Sequence, residues 1–362
     1  MATDLQSGPP LAWPEPIVRV QHLSESGLEK LPERYVKPLS DRPNLDNIVV
    51  DDVEIPIIDL SGLYSDDVAI RKKTASMIDD ACKNWGFFQV VNHGVSEDIM
   101  RRVREVWLGF FKLPLEEKEK CANDTITFEG YGSRVGLQKG QILDWRDYYK
   151  LHYLPESIRN DAKWPTLPPA FRSTVIEYFH QTMELGDKLM KIFSTNLGLK
   201  ESRMREAFGG KDLALHTQAN YYSKCPEPDL ALGLSAHSDL GGITMLMPDY
   251  DVPGLQVRRG DKWITIKAIR GAYIINLGDQ LQIFSNGIYH SGEHRVIVNS
   301  SHERFSLAVF NNPNDDTVVE PAEELVTPDR PQRYFAKTFR QHKIMVATKE
   351  PCGKGHMKLM EI

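Results

Sequence analysis

HTQANYYS (216–223), GLSAHS (233–238), GITMLMP (242–248), GLQVRR (254–259), KWITIKA (262–268), AYIINLG (272–278), LQIFSN (281–286), HRVIVNS (294–300) and RFSLAVF (304–310) succeed one another along the second half of the chain, parted by Gly, Pro, Asn and Asp. Each run is short, β-branched or aromatic in character and closed by turn formers, so each reads as a strand. That many short strands at regular spacing need a sandwich or barrel to hide their apolar faces, and the pattern predicts a jelly-roll-like double sheet. The expected fold class is therefore mainly β, with helices flanking the sheets.

The helices lie upstream. Residues 68–84 carry helical spacing in Ile70, Ala75, Ile78 and Ala81, and two further helical patterns run over residues 97–111 and 170–197. In the last of these, Val175, Tyr178, Met183, Leu185, Leu189, Ile192 and Phe193 fall on apolar faces. IPIIDL (55–60) reads as a buried strand and WGFFQVVNHG (85–94) as another that ends at Gly94. The first fifty or so residues mix prolines and charges with the short apolar runs PIVRVQHL (16–23) and RYVKPL (34–39), the texture of an arm laid along the body.

With 362 residues, 41% of them hydrophobic, the chain has ample core and needs no covalent staple. Lys plus Arg number 44 against 50 Asp plus Glu, a net charge of -6 that gives no electrostatic footprint for nucleic acid or an anionic membrane. A small molecule is the favoured partner, and monomer the expected state. Cys82, Cys121, Cys225 and Cys352 are scattered with no CxxC pair, the pattern of free thiols in a reducing compartment. No stretch is apolar for long enough to span a membrane, and MATDLQSGPPLAWPEP (1–16) is polar and proline-rich, unlike a signal peptide. A cytoplasmic enzyme is the expectation.

His237 and Asp239 are one residue apart at the end of a β-type run, so alternation puts both side chains on one face, where they can share a metal. An HxD triplet alone is weak, because composition produces one readily. A second histidine on a later strand, His294 at the head of HRVIVNS, would complete two nitrogens and one carboxylate, the facial set that leaves positions open for substrate and oxygen on iron(II). His290 is the rival third ligand, but in YHSGEH it falls on the turn side. Arg304, Ser306, Ala308 and Phe310 alternate along RFSLAVF, presenting a guanidinium, a hydroxyl, a small residue and a ring from one face. A strand arginine must be paired, either by a core aspartate or by the distal carboxylate of a dicarboxylic co-substrate. Gln218, Asn220 and Tyr222 alternate likewise, as groups that hydrogen-bond a keto-acid carboxylate near the metal or as ordinary polar residues of a sheet edge. Asn-x-Tyr, His-x-Asp fifteen residues past the Tyr, a third ligand downstream and Arg-x-Ser ten residues after it form a conjunction that chance rarely assembles.

These residues lie in blocks that resemble the plant 2-oxoglutarate and iron(II)-dependent dioxygenases, the group containing anthocyanidin synthase, flavonol synthase and the jasmonate oxidases. The resemblance covers nearly the whole chain: PEPIVRVQ, IPIIDL, WGFFQVVNHGV, EGYGSR, NYYSKCPEPDLALGLSAHSD, GLQV, NLGDQLQIFSNGIYHSGEHRVIVN and ERFSLAVFNNP. It implies a double-stranded β-helix, or jelly roll, over residues 213–315, an N-terminal helical and mixed region (1–212) packed on it, and a C-terminal helical segment (316–362) closing the substrate pocket. It further implies that His237, Asp239 and His294 ligate iron, that Arg304 and Ser306 hold the far carboxylate of 2-oxoglutarate, and that Tyr222 and Asn220 contact its near end. Ascorbate is an implied support of activity.

The opening WPEPIVRVQ, EGYGSR and the DWRDYY block are most similar to the jasmonate oxidases, which hydroxylate a carboxylate hormone, and two pocket positions depart from them. Where those enzymes carry an arginine in the strand leading to NYY, this chain has Gln218, and an uncharged amide cannot give the same charge-assisted pairing. Where they carry a phenylalanine after DYY, it has Lys150, which alternation groups with Tyr148 and His152. Lys150 either restores the lost charge from another wall or points outward. A jasmonate-like acid is one candidate substrate, and a phenolic, flavonoid or terpenoid compound stacked on Phe310 near Tyr148 is another. Rival functions are an oxidase of the same fold that needs no 2-oxoglutarate, a non-catalytic small-molecule binder, which would have lost a metal ligand, and a structural zinc protein, which would need a fourth Cys or His.

Overall fold

The computed structural model describes residues 12–43, 54–347 and 353–362. Cys352 and the first eleven residues lie outside them. The strands in chain order are β1 (Ile57–Asp59), β2 (Phe87–Val91), β3 (Gly130–Gly132), β4 (Asp147–Leu154), β5 (Ala214–Tyr222), β6 (Leu234–His237), β7 (Ile243–Met247), β8 (Leu255–Arg259), β9 (Lys262–Thr265), β10 (Tyr273–Leu277), β11 (His294–Val296), β12 (Arg304–Asn312), β13 (Val318–Val319) and β14 (Lys337–Thr338). Eight of them form the major sheet in the order β1-β2-β10-β7-β12-β5-β4-β3, and four form the minor sheet, β6-β11-β8-β9. This is the jelly roll expected from the β-type runs. The major sheet takes strands from both sides of residue 213, with β1 and β2 at one edge and β3 and β4 at the other.

Strand alternation gives the major sheet two chemically different faces. Tyr149, Leu151, Leu215, Ala219, Tyr221, Phe305, Leu307, Val309, Met245 and Ile275 share one apolar cluster with the helices Glu97–Phe111 and Phe171–Asn196. The first of these helices forms because Ser96 caps it, its hydroxyl accepting from Ile99 N at 3.2 Å, while Glu97 and Asp98 oppose the dipole. Ile99, Val103, Val106, Trp107 and Phe110 then supply one buried stripe. Helices over Val68–Asn84, Glu97–Phe111 and Phe171–Asn196 match the predicted spans to within a residue.

One run is a correction. LQIFSN is not a strand: Asp279–Phe284 is a short α-helix with every residue buried. A helix buried on all sides carries no 3.6-residue signal, so a short apolar run of this kind reads equally as a strand. Among the described residues Cys82, Cys121 and Cys225 are free thiols, and no helix is long and apolar enough to cross a membrane.

Candidate active site

Cross-strand register assembles the inner face of the major sheet into rows. One row runs Phe87, Asn276, Thr244, Phe310, His216, His152, and the next runs Gln89, Ile274, Leu246, Ala308, Gln218, Lys150, Gly130. Within these rows Leu246, Phe310, His216, Gln218, Lys150 and His152 are half-buried, whereas their outward-facing neighbours on the same strands are buried under the helices. The inner face therefore lines a cavity.

The minor sheet closes the cavity with the metal ligands. His237 ends β6 and pairs directly with His294, which begins β11, and Asp239 follows in the turn. One ligand atom from each of the three lies within 4.8 Å of the others. Asp239 Oδ1 stands 3.6 Å from His237 Nε2 and 3.8 Å from His294 Nε2, the spacing of donors around an ion. His237 Nδ1 is 2.8 Å from the Ser235 carbonyl and His294 Nδ1 is 3.3 Å from that of Gly292, which fixes both tautomers with Nε2 bare toward the centre. The remote oxygen of Asp239 accepts from Thr244 Oγ1 at 2.5 Å and Asn276 Nδ2 at 2.6 Å, so Oδ1 is the oxygen left for a metal. Burial pushes the Asp239 carboxyl up, but bonding to His237 and the nearby His294 outweigh it and hold the group well below the usual carboxylate range. Burial, reinforced by His237 alongside, brings His294 down to about 4, so it is neutral and ready to ligate at neutral pH. His290 is exposed and outside this cluster.

Arg304 faces the cavity wall opposite Tyr222, and Ser306 opposite Asn220. Arg304 is only 3% exposed, its Nε donates to the Val252 carbonyl at 3.2 Å, and its Nη1 has no partner. Among the described residues no carboxylate reaches it; the nearby Asp249 is taken by Arg104 at 3.0 Å and by the Phe305 amide. Its guanidinium lies 5.0 Å from the Tyr222 ring, and it packs so closely on Gly254 that an added Cβ there would meet its Cδ at 2.9 Å. A buried arginine with a free N–H and no counter-charge is a built anion site.

Comparison with known proteins converges on this chemistry. Residues 55–168 match the family model described as non-haem dioxygenase in morphine synthesis N-terminal, and residues 214–313 match the 2OG-Fe(II) oxygenase superfamily. Jasmonate-induced oxygenase 1 of Arabidopsis thaliana is 52% identical over 350 residues, covering 96% of this chain and 86% of that protein. The chain belongs to the 2OG-Fe(II) oxygenase superfamily. Leucoanthocyanidin dioxygenase of Malus domestica is 37% identical over 333 residues, covering 90% of this chain and 93% of that protein. The crystal structure of JOX2 in complex with 2OG, Fe, and JA superposes with a TM-score of 0.89 at 50% identity, covering 97% of this chain and 99% of that one.

The donor set fits a 2OG-Fe(II) oxygenase: two imidazoles and one carboxylate for iron(II), and the unpaired Arg304 Nη1 for a 2-oxoglutarate carboxylate. Several 2OG-Fe(II) oxygenase residues here escaped sequence reasoning. Thr244 and Asn276 were polar intruders in the apolar runs GITMLMP and AYIINLG, a signal that could have flagged them. Arg146, 4% exposed, donates to Asn220 Oδ1 and lies 5.4 Å from the Tyr148 ring; its place two residues before Tyr148 put it on the same strand face. Gln218 Nε2 also bonds Asn220 Oδ1, at 3.1 Å. Tyr148 is itself buried, its hydroxyl donating to the Arg134 carbonyl at 2.9 Å and accepting from Asn123.

Lys150 points inward beside Gln218. Its ammonium has one partner, the Thr127 carbonyl at 3.2 Å, and no carboxylate of the described residues within ion-pair distance. Burial, then the proximity of Lys343 on the helix Phe339–Ala347, lowers it to about 8. Burial and Lys150 together bring His152 down to about 3, and His216 well below its ordinary range. His216 stacks on Phe310 with ring centres 4.7 Å apart and His152 follows at 5.4 Å, a neutral aromatic platform running from Thr244, which bonds Asp239, to the strand that carries Lys150.

Proposed function

We propose that this 2OG-Fe(II) oxygenase hydroxylates a small carboxylic acid of the jasmonate type, with Lys150 pairing the substrate carboxylate from a wall adjacent to Gln218. The observation that carries this reading is the Lys150 ammonium on the inner face of the sheet, hydrogen-bonded to a backbone carbonyl and ion-paired with no carboxylate of the described residues, although Glu129, Asp315 and Asp124 act on it from farther off. An unpaired cation at a cavity wall is costly unless an anion completes it. JOX2, to which the chain is similar, has been crystallised in complex with 2OG, Fe, and JA.

When bound, iron(II) with 2-oxoglutarate and O2 supplies the oxidant, 2-oxoglutarate leaving as succinate and carbon dioxide while a substrate C–H becomes C–OH. The chain's own residues do the positioning. His237, Asp239 and His294 hold the metal, Arg304 and Ser306 the far carboxylate of 2-oxoglutarate, and Tyr222 with Asn220 its near end. Arg146 orients Asn220, and the Tyr148 ring supports Arg146. Phe310 and His216 form the apolar wall along which the substrate skeleton lies. The helix Phe339–Ala347 closes the pocket within the 316–362 segment, Lys343 being near enough to Lys150 to depress it; residues 1–212 pack on the 213–315 core. The enzyme works as a cytoplasmic monomer with ascorbate support and no nucleic-acid partner; the net charge of -6 supports the last of these and the free thiols a reducing compartment. Arg304 Nη1, which lacks a protein anion, favours a 2-oxoglutarate requirement over the oxidase chemistry that dispenses with it.

The platform of His152, His216 and Phe310 favours a second substrate class, flat phenolics, and one experiment separates the two. Iron(II) and 2-oxoglutarate are titrated anaerobically to develop the metal-to-ligand charge-transfer band. Air and a panel of jasmonate, flavonoid, coumarin and terpenoid acids with their methyl esters follow, scored for succinate and hydroxylated product. Product from acids and not from esters supports the reading; equal turnover of esters, or of neutral phenolics alone, overturns it.

A further inference from the structure

The last ten residues return to the iron site from outside the jelly roll. Gly353 forms a parallel bridge with His237, and it lies so close to Glu293, the neighbour of His294, that a Cβ there would meet Glu293 Oε1 at 2.0 Å. Lys354 Nζ donates to the Ser291 carbonyl and, at 2.7 Å, to Gln282 Oε1, which also accepts from the Ser291 amide at 2.9 Å. His356 Nε2 lies 2.6 Å from Asp279 Oδ2, and Asp279 Oδ1 accepts from Ser291 Oγ at 2.8 Å.

Asp279 opens the buried helix Asp279–Phe284, and the amides at that end face the loop carrying Asp239. Gly278 N donates to the Gly242 carbonyl at 2.7 Å, Asp279 N to that of Asp239 at 2.8 Å, and Gln280 N to that of Gly241 at 2.9 Å. The first amides of a helix have no intrahelical partner, so here they grip the Asp239 loop. Gln280 Nε2 adds a bond to the Leu240 carbonyl at 3.1 Å and contacts His342 Nδ1 on the C-terminal helix.

Residues 353–356 thus touch what carries each iron ligand: the backbone beside His237, the residue before His294, and the helix that holds the Asp239 loop. We propose that the C-terminal tail is a positioning element of the iron centre, His356 fixing the Asp239 loop through Asp279 and His342 bracing Gln280. This rests on the iron-site reading above. Asp279, His342 and His356 also have ligand atoms within 4.8 Å of one another, and His342 Nε2 is buried without a partner. Their geometry differs from the iron centre all the same. A separation of 2.6 Å between His356 and Asp279 is that of a shared proton, whereas the iron ligands stand 3.6 and 3.8 Å apart around a space. The cluster is a hydrogen-bonded latch.

The test compares His356→Leu, which removes the N–H donor, with His356→Gln, which keeps one, and with Leu359→Ala on an exposed part of the same tail. Two readouts are taken: iron(II) affinity from the charge-transfer titration, and hydrogen exchange at the Asp279 and Gln280 amides in metal-free protein, which needs no iron. The Leu variant is expected to bind iron(II) about tenfold more weakly, the usual loss when a group behind a metal ligand is removed, and to exchange those two amides about tenfold faster. The Gln variant is expected to restore both, and Leu359→Ala to change neither. Wild-type affinity and wild-type exchange in His356→Leu would overturn the proposal. So would metal analysis in which the wild-type protein holds a second ion that His356→Leu loses while keeping iron, since the cluster would then be a metal site. Should His356→Leu not fold, Lys354→Met carries the same test in the same direction, and unchanged amide exchange there is equally fatal. Failure of the wild-type protein to bind iron would count against the functional reading alone, because the exchange arm still decides the latch.

Discussion

Lys150 makes the sharpest test of the substrate reading, because its charge can be removed by mutation or by pH. Burial and Lys343 bring its amine down to about 8, so it passes from mostly charged to mostly neutral as pH rises from 7 to 9. A charge-assisted hydrogen bond to a carboxylate is worth about 1.5–3 kcal/mol, or roughly 10- to 150-fold in affinity. Lys150→Met is therefore expected to lower kcat/KM for an acid substrate by about tenfold or more at pH 7, mostly through KM, and to leave the methyl ester unchanged. In the wild-type enzyme kcat/KM for the acid should fall as pH rises through 8, whereas Lys150→Arg should stay flat to pH 10. Stability moves the other way. The folded pKa lies below the ordinary lysine value, so folding disfavours the charged amine at every pH below that value, and the cost fades as pH climbs past 8. At pH 7 the Met variant should melt at or above the wild-type temperature. The assay is succinate release against substrate concentration at pH 6.5 to 10, with melting curves alongside. A Met variant that keeps kcat/KM for acids within about twofold, with an unaltered pH profile, would refute the pairing.

Arg304→Met should weaken 2-oxoglutarate by the same 10- to 150-fold, about 1.5–3 kcal/mol for a charged hydrogen bond, while iron(II) binding measured alone stays intact. Thr244→Val deletes one of the two donors on Asp239 Oδ2 without changing volume, and iron(II) affinity should drop by about tenfold, read from the charge-transfer titration. Lys150 and Gln218 are cross-strand neighbours, so Gln218→Arg should cost stability beside Lys150 and cost less in the Lys150→Phe background. Additive melting shifts around that double-mutant cycle would contradict the placement.

Features set within one strand or helix were legible in the sequence, and those set by distant pairing were not. Alternation along one strand is local, so Arg304 with Ser306, and Asn220 with Tyr222, were legible as shared faces, and the order β12 beside β5 then set them opposite each other. The long helices were legible because each buries one stripe. Asp279–Phe284 was not, being buried all round, and HRVIVNS yielded only a three-residue strand because its pairing with β6 shifts register after His294. The groups holding Asp239 were hidden for another reason. Asn276 lies 37 residues from Asp239 and reaches it only because β10 pairs with β7, a neighbour that the order of strands in the chain does not announce. Lys343 left no sequence signal at all, since its relation to Lys150 depends on how the C-terminal helix docks.

The contacts of Asp239 explain why the iron site sits where it does. Its carboxylate is gripped from the major sheet by Thr244 and Asn276, and its carbonyl is gripped by the amide that opens the helix Asp279–Phe284. Thr244 and Asn276 belong to the same row as Phe310, His216 and His152, so the wall that fixes the metal ligand continues as the wall proposed to carry the substrate. From Thr244 to His152 is three strand spacings, roughly 14 Å, and Lys150 stands one row away at the same strand. A substrate lying along that row would place its carboxylate at the far end and a carbon of its opposite end near the metal. Acids too short to bridge the two should therefore be poor substrates even when Lys150 is charged, and chain length, scored by succinate released per product formed, becomes a ruler for the pocket.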